Sequence, residues 1–184
     1  MQGWLKLNNE LILWNKKTLK RIADTFPWPK HENKAVWTTY LPHAECIIIS
    51  TKFYNELEET RSRILHIVGV CFDITGKYTV AEDMFRQALV LREKVFGSKQ
   101  QLTLDTMNNL ANVLDSQGKY ADAEEIHRQT LKLYTEVLGA EHPLTIDSIG
   151  NLANTLDSQG KPRRCTGRHL SCIQRCLGQS AHQY

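Results

Sequence analysis

The sequence predicts an all-α chain in which pairs of helices repeat and stack on one another. The main observation is an eleven-residue segment that occurs twice, at 109–119 and 151–161, with Val113 against Thr155 as the one difference. The offset is 42 residues, and a fainter copy, Gly-Lys-Tyr at 76–78, lies 42 residues before 118–120. A fixed period of this length is typical of solenoids, whose units bury their apolar faces only against their neighbours. The period therefore predicts a binding scaffold.

The middle unit, about 102–141, shows why each unit should be a pair of helices. Apolar residues fall at helical spacing on both sides of Gly118, which is expected to end the first helix. Gly139 is expected to end the second helix, and Pro143 prevents its continuation. Alanine at 111 and 123 is small enough for the two backbones to approach where the helices cross. The unit therefore predicts two antiparallel helices joined by a tight turn.

The first unit repeats this scheme with different side chains. We expect its helices over about 57–75 and 80–96, with Gly69 in the place of Ala111. After the third unit's first helix, about 144–159, the period is lost.

The repeated pattern resembles a known family over about 58–161. Asn-Leu-Ala-x-x-Leu-x-x-x-Gly-Lys-Tyr, then Ala-Glu, then Leu-Gly-x-Glu-His-Pro resembles the kinesin-light-chain type of tetratricopeptide repeat. The resemblance implies a right-handed α–α superhelix whose first helices line a concave surface. It divides the chain into an N-terminal helical segment, repeats and a tail, which we place at 1–56, 57–98, 99–140, a partial repeat at 141–161, and 162–184.

The N-terminal segment resembles the region before such repeats in fungal NOD-like receptor proteins. The resemblance rests on Leu19–Pro27, Glu32-Asn33, Trp37 and Leu41–Ala44. In those proteins an NB-ARC or NACHT nucleotide-binding module comes first, and the repeats sense or recruit a partner. The sequence has no Gly-x-x-x-x-Gly-Lys-Ser/Thr phosphate loop, so nucleotide hydrolysis is not carried over and no cofactor is expected. We interpret the chain as a fragment of such a receptor, a stand-alone relic, or a non-functional gene fragment.

The N-terminal segment is also expected to cover part of the first repeat. The first repeat's stripe, Arg63, Ile67, Val70 and Ile74, is mostly apolar, so the N-terminal helices or a partner helix should cover it. The apolar stripe that could do so is Trp4, Leu5, Leu7, Leu11, Ile12, Trp14, Leu19 and Ile22. We expect Pro42 to begin a new helix, over about 42–53, because proline loses no hydrogen bond at the first helical position. We expect a core position for Trp28, Trp37 and Tyr40.

The predicted binding surface is a polar stripe on the first helix of the second and third repeats. Positions i, i+4, i+7 and i+11 share one helix face, and in the second repeat they hold Asp105, Asn109, Asn112 and Ser116. The third repeat has the same four residues at Asp147, Asn151, Asn154 and Ser158. Asparagine both donates and accepts, so it can hold a peptide backbone through bonds of about 0.5–1.5 kcal/mol each. The alternative is a solvated helix face that is identical because of a recent duplication.

The tail, 162–184, imitates a metal site and breaks the period. A spacing typical of zinc ligands, C-x3-H-x2-C-x3-C, is given by Cys165, His169, Cys172 and Cys176. The period instead predicts a second helix like 120–139, and the codons of 165–178, read in a shifted frame, can encode its last thirteen residues. We interpret the tail as out-of-frame translation of a degenerate helix, accompanied by a small deletion or a mis-called splice junction, with zinc binding as the alternative. This interpretation leaves an apolar face uncapped, formed by Ile149, Leu152, Ala153 and Leu156.

Composition and charge narrow the classes of function. The net charge is +3, but the tail holds four arginines and no acid, so 1–161 has 19 basic against 20 acidic residues, which disfavours nucleic-acid binding. Nucleic-acid binding through the arginine-rich tail, 162–184, is the alternative. The longest apolar run, about 46–49, is far below the roughly 20 residues of a membrane span, and no secretory signal opens the sequence, so we expect a cytoplasmic chain. The histidines are scattered, with His127 and His142 interpreted as helix-surface and turn positions, so no enzymatic activity is expected. The expected partner is a protein or peptide.

Overall fold

The computed structural model describes residues 2–52 and 54–160, with side chains from residue 10 onward. In this part of the chain every regular element is helical, as the sequence predicts. The chain divides into two compact units, Met1–Val95 and Phe96–Tyr184. Helices α1 to α4, the last of which ends at the boundary, are Gln2–Thr25, Lys34–Ser50, Glu58–Ile74 and Tyr78–Phe96. Helices α5 to α7 of the second unit are Gln101–Ser116, Tyr120–Leu138 and Pro143–Ser158.

Glycines in the left-handed conformation follow the first helix of each repeat. Gly76, Gly118 and Gly160 have φ angles of 73°, 78° and 68°, a region that residues with a Cβ atom rarely adopt. After α5 the backbone N–H of Lys119 donates to the carbonyl of Leu114 at 2.9 Å, which closes a Schellman turn. Because the period fixes these glycines, the predicted boundaries of the repeat helices fall within two residues of the observed ones.

The start of each first helix in the second unit is fixed by a bond back to the preceding turn. The Thr103 hydroxyl donates to the carbonyl of Gly97 at 2.9 Å, and the Thr145 hydroxyl donates to that of Gly139 at 2.8 Å. At the start of α7, His142 Nδ1 accepts a backbone N–H two residues on, at 3.2 Å. His142 therefore lies in the turn, as predicted, and caps the helix.

The core of the second unit lies between α5, α6 and α7. The buried side chains on these helices include Leu104, Leu110, Ala111, Leu114, Ala123, Leu131, Tyr134, Ile149, Leu152 and Leu156. Leu131 of α6 packs against Ile149, Leu152 and Leu156 of α7. The prediction of an uncapped apolar face on the third repeat is therefore wrong for these three residues, because α6 covers the side of α7 that carries them.

His127 is fully buried, so the prediction that it lies on the helix surface is wrong. Neither of its ring nitrogens has a hydrogen-bond partner within the described part of the chain, and burial lowers the pKa of His127 to about 4. Phe85, 42 residues earlier, is also fully buried. The histidine therefore occupies a core position that the first repeat fills with an aromatic hydrocarbon ring.

The packing partner of this ring position also differs between the repeats. In the first unit a Cβ atom added to Gly69 would lie 2.8 Å from Cε1 of Phe85, well inside contact distance. The equivalent positions in the second unit are Ala111 and His127. The larger ring, Phe85, is thus paired with glycine, and the smaller ring, His127, is paired with alanine. The combined side-chain volume of the two positions is therefore similar in the two repeats.

Hydrogen bonds from two side chains, one in α2 and one just before α2, hold the turn between α1 and α2. Trp37 is fully buried, as predicted, and its Nε1 donates to the carbonyl of Lys30 at 2.9 Å. The Asn33 side chain accepts from the backbone N–H of Lys30 and donates to the carbonyl of Trp28. Trp28 is 54% exposed and Tyr40 is 36% exposed, so the prediction that these two rings lie in the core is wrong.

Helix α2 passes through Pro42, so the predicted helix start at this residue is also wrong. The helix begins at Lys34, and Pro42 lies in its interior. Proline has no N–H, which leaves the carbonyl of Thr38 without its helical donor. Both residues are exposed, so water can satisfy that carbonyl and the helix continues.

Candidate peptide-binding face

The eight residues of the predicted polar stripe lie on α5 and α7. Five are exposed: Asn112, Ser116, Asp147, Asn154 and Ser158. Three are half-buried: Asp105, Asn109 and Asn151. The stripe therefore contains an open part and a part that packs within the second unit.

An amide pair joins α5 and α7 at this stripe. Asn151 Nδ2 donates to Asn108 Oδ1 at 3.1 Å. Asn112 lies one helical turn beyond Asn108, and Asn154 one turn beyond Asn151, so the two exposed amides lie on adjoining helix faces. The sequence reasoning did not single out Asn108, because its copy in the third repeat is Gly150 and the duplication therefore does not mark it.

Asp105 is already engaged inside the second unit. Tyr134 is 2% exposed, and its hydroxyl donates to the carboxylate of Asp105 at 2.7 Å. Burial of the phenol, together with this hydrogen bond and the charge of Asp105, raises the pKa of Tyr134. The carboxylate of Asp105 therefore stabilises the packing of α6 against α5.

The two serines of the stripe use their protons within their own helices. Ser116 donates to the carbonyl of Asn112 at 3.0 Å, and Ser158 donates to that of Asn154 at 3.1 Å. Their hydroxyl oxygens can still accept a hydrogen bond. The exposed side chains with free choice of donor or acceptor are the two amides, and Asp147 adds an exposed carboxylate.

The charge on α5 and α7 has one sign. The two helices carry four aspartates and neither lysine nor arginine. Within residues 96–160, lysine and arginine lie on α6 and in the turns, where Arg128 pairs with Glu124 at 2.8 Å and Lys99 pairs with Glu136 at 3.1 Å. The face formed by the two first helices is therefore both amide-rich and acidic.

The first unit covers the equivalent face of α3 with its own N-terminal segment. Arg63, which corresponds to Asp105, donates to the carbonyl of Ala23 and lies 3.7 Å from the carboxylate of Asp24. Ile67, which corresponds to Asn109, is 5% exposed, and α1 contacts α3. Ile67 is therefore packed within the unit, whereas Val70 and Ile74 are half-buried.

A buried histidine and arginine also meet on α3 and α4. His66 and Arg92 are 5% and 4% exposed, and Arg92 Nη1 lies 3.3 Å from His66 Nδ1. Since a guanidinium can only donate, Nδ1 is the acceptor and the imidazole is neutral. Burial and the charge of Arg92 lower the pKa of His66 to about 3. The period gave no signal for this pair, because Asn108 and Tyr134 stand at the equivalent positions.

The predicted tail ligands, Cys165, His169, Cys172 and Cys176, lie outside the described residues. Within 2–52 and 54–160, no group of three or more His, Cys, Asp or Glu side chains could hold a metal ion. Across the same residues, no helix combines the length and the apolar character that crossing a membrane requires.

Comparison with known proteins identifies the repeat unit. A family model described as tetratricopeptide repeat matches residues 74–101 and 103–144. The two matched stretches span helices α4, α5 and α6, whose boundaries follow the 42-residue period.

Two solved structures resemble this chain in fold. BtubC (BKLC) from P. vanneervenii gives a TM-score of 0.61 at 14% identity, covering 96% of this chain and 74% of that one. A structure of the nearly identical TPR-like repeats of a P. anserina kinesin light chain gives 0.59 at 16% identity, covering 96% and 88%. At these identities the likeness shows the fold, an all-α array of helix pairs, and agrees with the predicted kinesin-light-chain type of repeat.

A sequence relative supports the predicted likeness to NOD-like receptors. A nucleotide-binding leucine-rich repeat (NLR)-like protein of Hyaloscypha variabilis is 38% identical over 107 residues. The match covers 58% of this chain and 11% of the relative. The chain therefore spans about a tenth of the length of that relative.

Proposed function

We propose that the chain is a protein-interaction scaffold that binds a peptide or helix of a partner on the face formed by α5 and α7. The observation that carries this proposal is the pair of exposed amides, Asn112 and Asn154, on helix faces that the Asn108–Asn151 bond holds side by side. An amide side chain can donate to a peptide carbonyl and accept from a peptide N–H at once. Two such amides on a braced surface can therefore hold a backbone without demanding a particular side chain.

The wider role that we propose is sensing or recruitment within a receptor of the NLR type. The support is the similarity to the NLR-like protein of Hyaloscypha variabilis, together with the fold of the repeats. In this role the repeats present the binding face, and other parts of the receptor respond to the bound partner.

The test is a selection of binding peptides with the full chain as bait. Peptides that the wild-type protein retains from a random displayed library are synthesised, and their affinities are measured by fluorescence anisotropy. The double variant Asn112→Ala with Asn154→Ala removes two or more hydrogen bonds of about 0.5–1.5 kcal/mol each, so we expect affinity to fall by roughly 10-fold or more. Circular dichroism confirms that both proteins have the same helix content.

A matched control is Gln129→Ala, which removes an exposed amide from α6. We expect this variant to bind the selected peptides as the wild type does. Equal losses in the two variants, or no loss in the double variant, would contradict the proposed face.

A further inference from the structure

We propose that the partner segment bound by α5 and α7 is basic, and that a lysine or arginine of this segment pairs with Asp147. This inference rests on the proposed function, since it names the chemistry of what that face binds. It concerns the one exposed carboxylate of the predicted stripe, because Asp105 is bonded to Tyr134.

Charge complementarity favours a basic partner segment. Helices α5 and α7 carry aspartates and no lysine or arginine, so every side chain of fixed charge on the two helices is negative. Both helices would repel an acidic partner segment, whereas both helices attract a basic segment. Asp147 is exposed, so pairing with a flexible lysine or arginine does not bury an isolated charge.

The first repeat has an arginine at the position of Asp147, and this arginine contacts another segment of the chain. Arg63 of α3 corresponds to Asp147 of α7, at an offset of two periods. Its guanidinium donates to the carbonyl of Ala23 and lies 3.7 Å from the carboxylate of Asp24, near the end of α1. This intramolecular contact shows that the position can be reached by a chain segment and is matched in charge. With aspartate in place of arginine, the matching segment is cationic.

The spacing along α7 also predicts where the basic residue lies in the partner. Asp147 and Asn154 are seven residues apart, which is about 10 Å along a helix axis. An extended chain rises about 3.3 Å per residue. An extended segment that runs along α7 therefore places its lysine or arginine about three residues from the residue whose backbone Asn154 holds.

The experiment repeats the peptide selection with the wild-type chain and with Asp147→Arg. We expect wild-type selections to be enriched in lysine and arginine, and Asp147→Arg selections to shift towards aspartate and glutamate. For a single basic peptide, we expect affinity to fall about fivefold in Asp147→Arg and less in Asp147→Asn, as for an exposed ion pair. Raising the salt from about 0.05 M to about 0.3 M should weaken wild-type binding, because exposed charges are screened.

The control is Glu125→Arg, which makes the same charge reversal at an exposed position on α6. We expect its selections to keep the wild-type preference. Peptides that need Asn112 and Asn154 but show no excess of basic residues would overturn this inference and leave the proposed function standing. The inference also fails if Glu125→Arg changes the preference as much as Asp147→Arg does. If no selected peptide depends on the two amides, the proposed function itself is wrong.

Discussion

Replacing Gly69 by alanine is expected to destabilise the first unit, although alanine is the better helix former. Gly69 lies inside α3, and an added Cβ would meet three atoms of the Phe85 ring, Cε1 at 2.8 Å and Cδ1 and Cζ at 3.0 Å. Phe85 is fully buried, so the ring cannot swing into solvent to make room. The new methyl group must therefore shift either the ring or the two helix backbones.

The magnitude follows from two opposing effects. Overpacking of a well-packed core costs about 1–3 kcal/mol, and replacing glycine by alanine inside a helix gains about 0.5–1 kcal/mol. The expected net loss lies between about 0 and 2.5 kcal/mol, with the middle of the range near 1 kcal/mol. Gly150 provides the control, because it lies inside α7 and an added Cβ there meets nothing within 4 Å. Gly150→Ala should therefore stabilise its helix by about 0.5–1 kcal/mol.

Urea unfolding measures both effects, because the two units can be followed separately. All four tryptophans, at 4, 14, 28 and 37, belong to the first unit, so tryptophan fluorescence reports on that unit. Far-ultraviolet circular dichroism reports on the helices of both units. We expect Gly69→Ala to lower the fluorescence midpoint, and Gly150→Ala to leave it unchanged while it raises the later part of the dichroism curve.

A second substitution tests whether the ring causes the loss. Combining Gly69→Ala with Phe85→His recreates the pairing of alanine and histidine in the second repeat. The double variant should lose less stability than the sum of the single losses, since the two positions are in contact. A Gly69→Ala protein as stable as the wild type, or strictly additive losses, would refute the packing argument.

The other two predictions concern buried polar groups of the second unit. Burial lowers the pKa of His127 from 6.5 to about 4, so the unfolded state binds a proton first as the pH falls. The free energy of unfolding is therefore highest, as far as His127 determines it, above pH 6.5. It falls by up to about 3 kcal/mol as the pH drops towards 4. Between pH 7 and pH 4.5, the urea midpoint should fall for the wild type and should fall less for His127→Leu. Equal falls of the midpoint in the two proteins would contradict this prediction. Tyr134→Phe removes the 2.7 Å bond to Asp105 and should cost about 1.5–3 kcal/mol in the same assay. An unchanged midpoint would show that this bond contributes nothing.

The repeat boundaries could be predicted because one residue type decides them. The residue that follows each first helix must adopt the left-handed backbone conformation. That position is occupied, at a constant interval, by Gly76, Gly118 and Gly160. Those turns are fixed by local backbone conformation, which the sequence shows directly.

The environment of individual side chains could be predicted less well, because it depends on what packs against them. His127 is polar in type but occupies a core position that Phe85 fills in the first repeat. Pro42 has the local signal of a helix start, yet α2 continues through it because Thr38, whose carbonyl loses its donor, is exposed. Within the candidate face, the duplication marked Asp105 and Asn151, but only the structure shows that Tyr134 and Asn108 already engage them.

Hydrogen–deuterium exchange with and without a selected peptide tests the central claim most directly. We expect a saturating peptide to slow exchange in α5 and α7, and we expect this protection to be absent with the variant Asn112→Ala with Asn154→Ala. Protection confined to α6, or to the helices of the first unit, would contradict the claim that the amide-bearing face of α5 and α7 binds the partner.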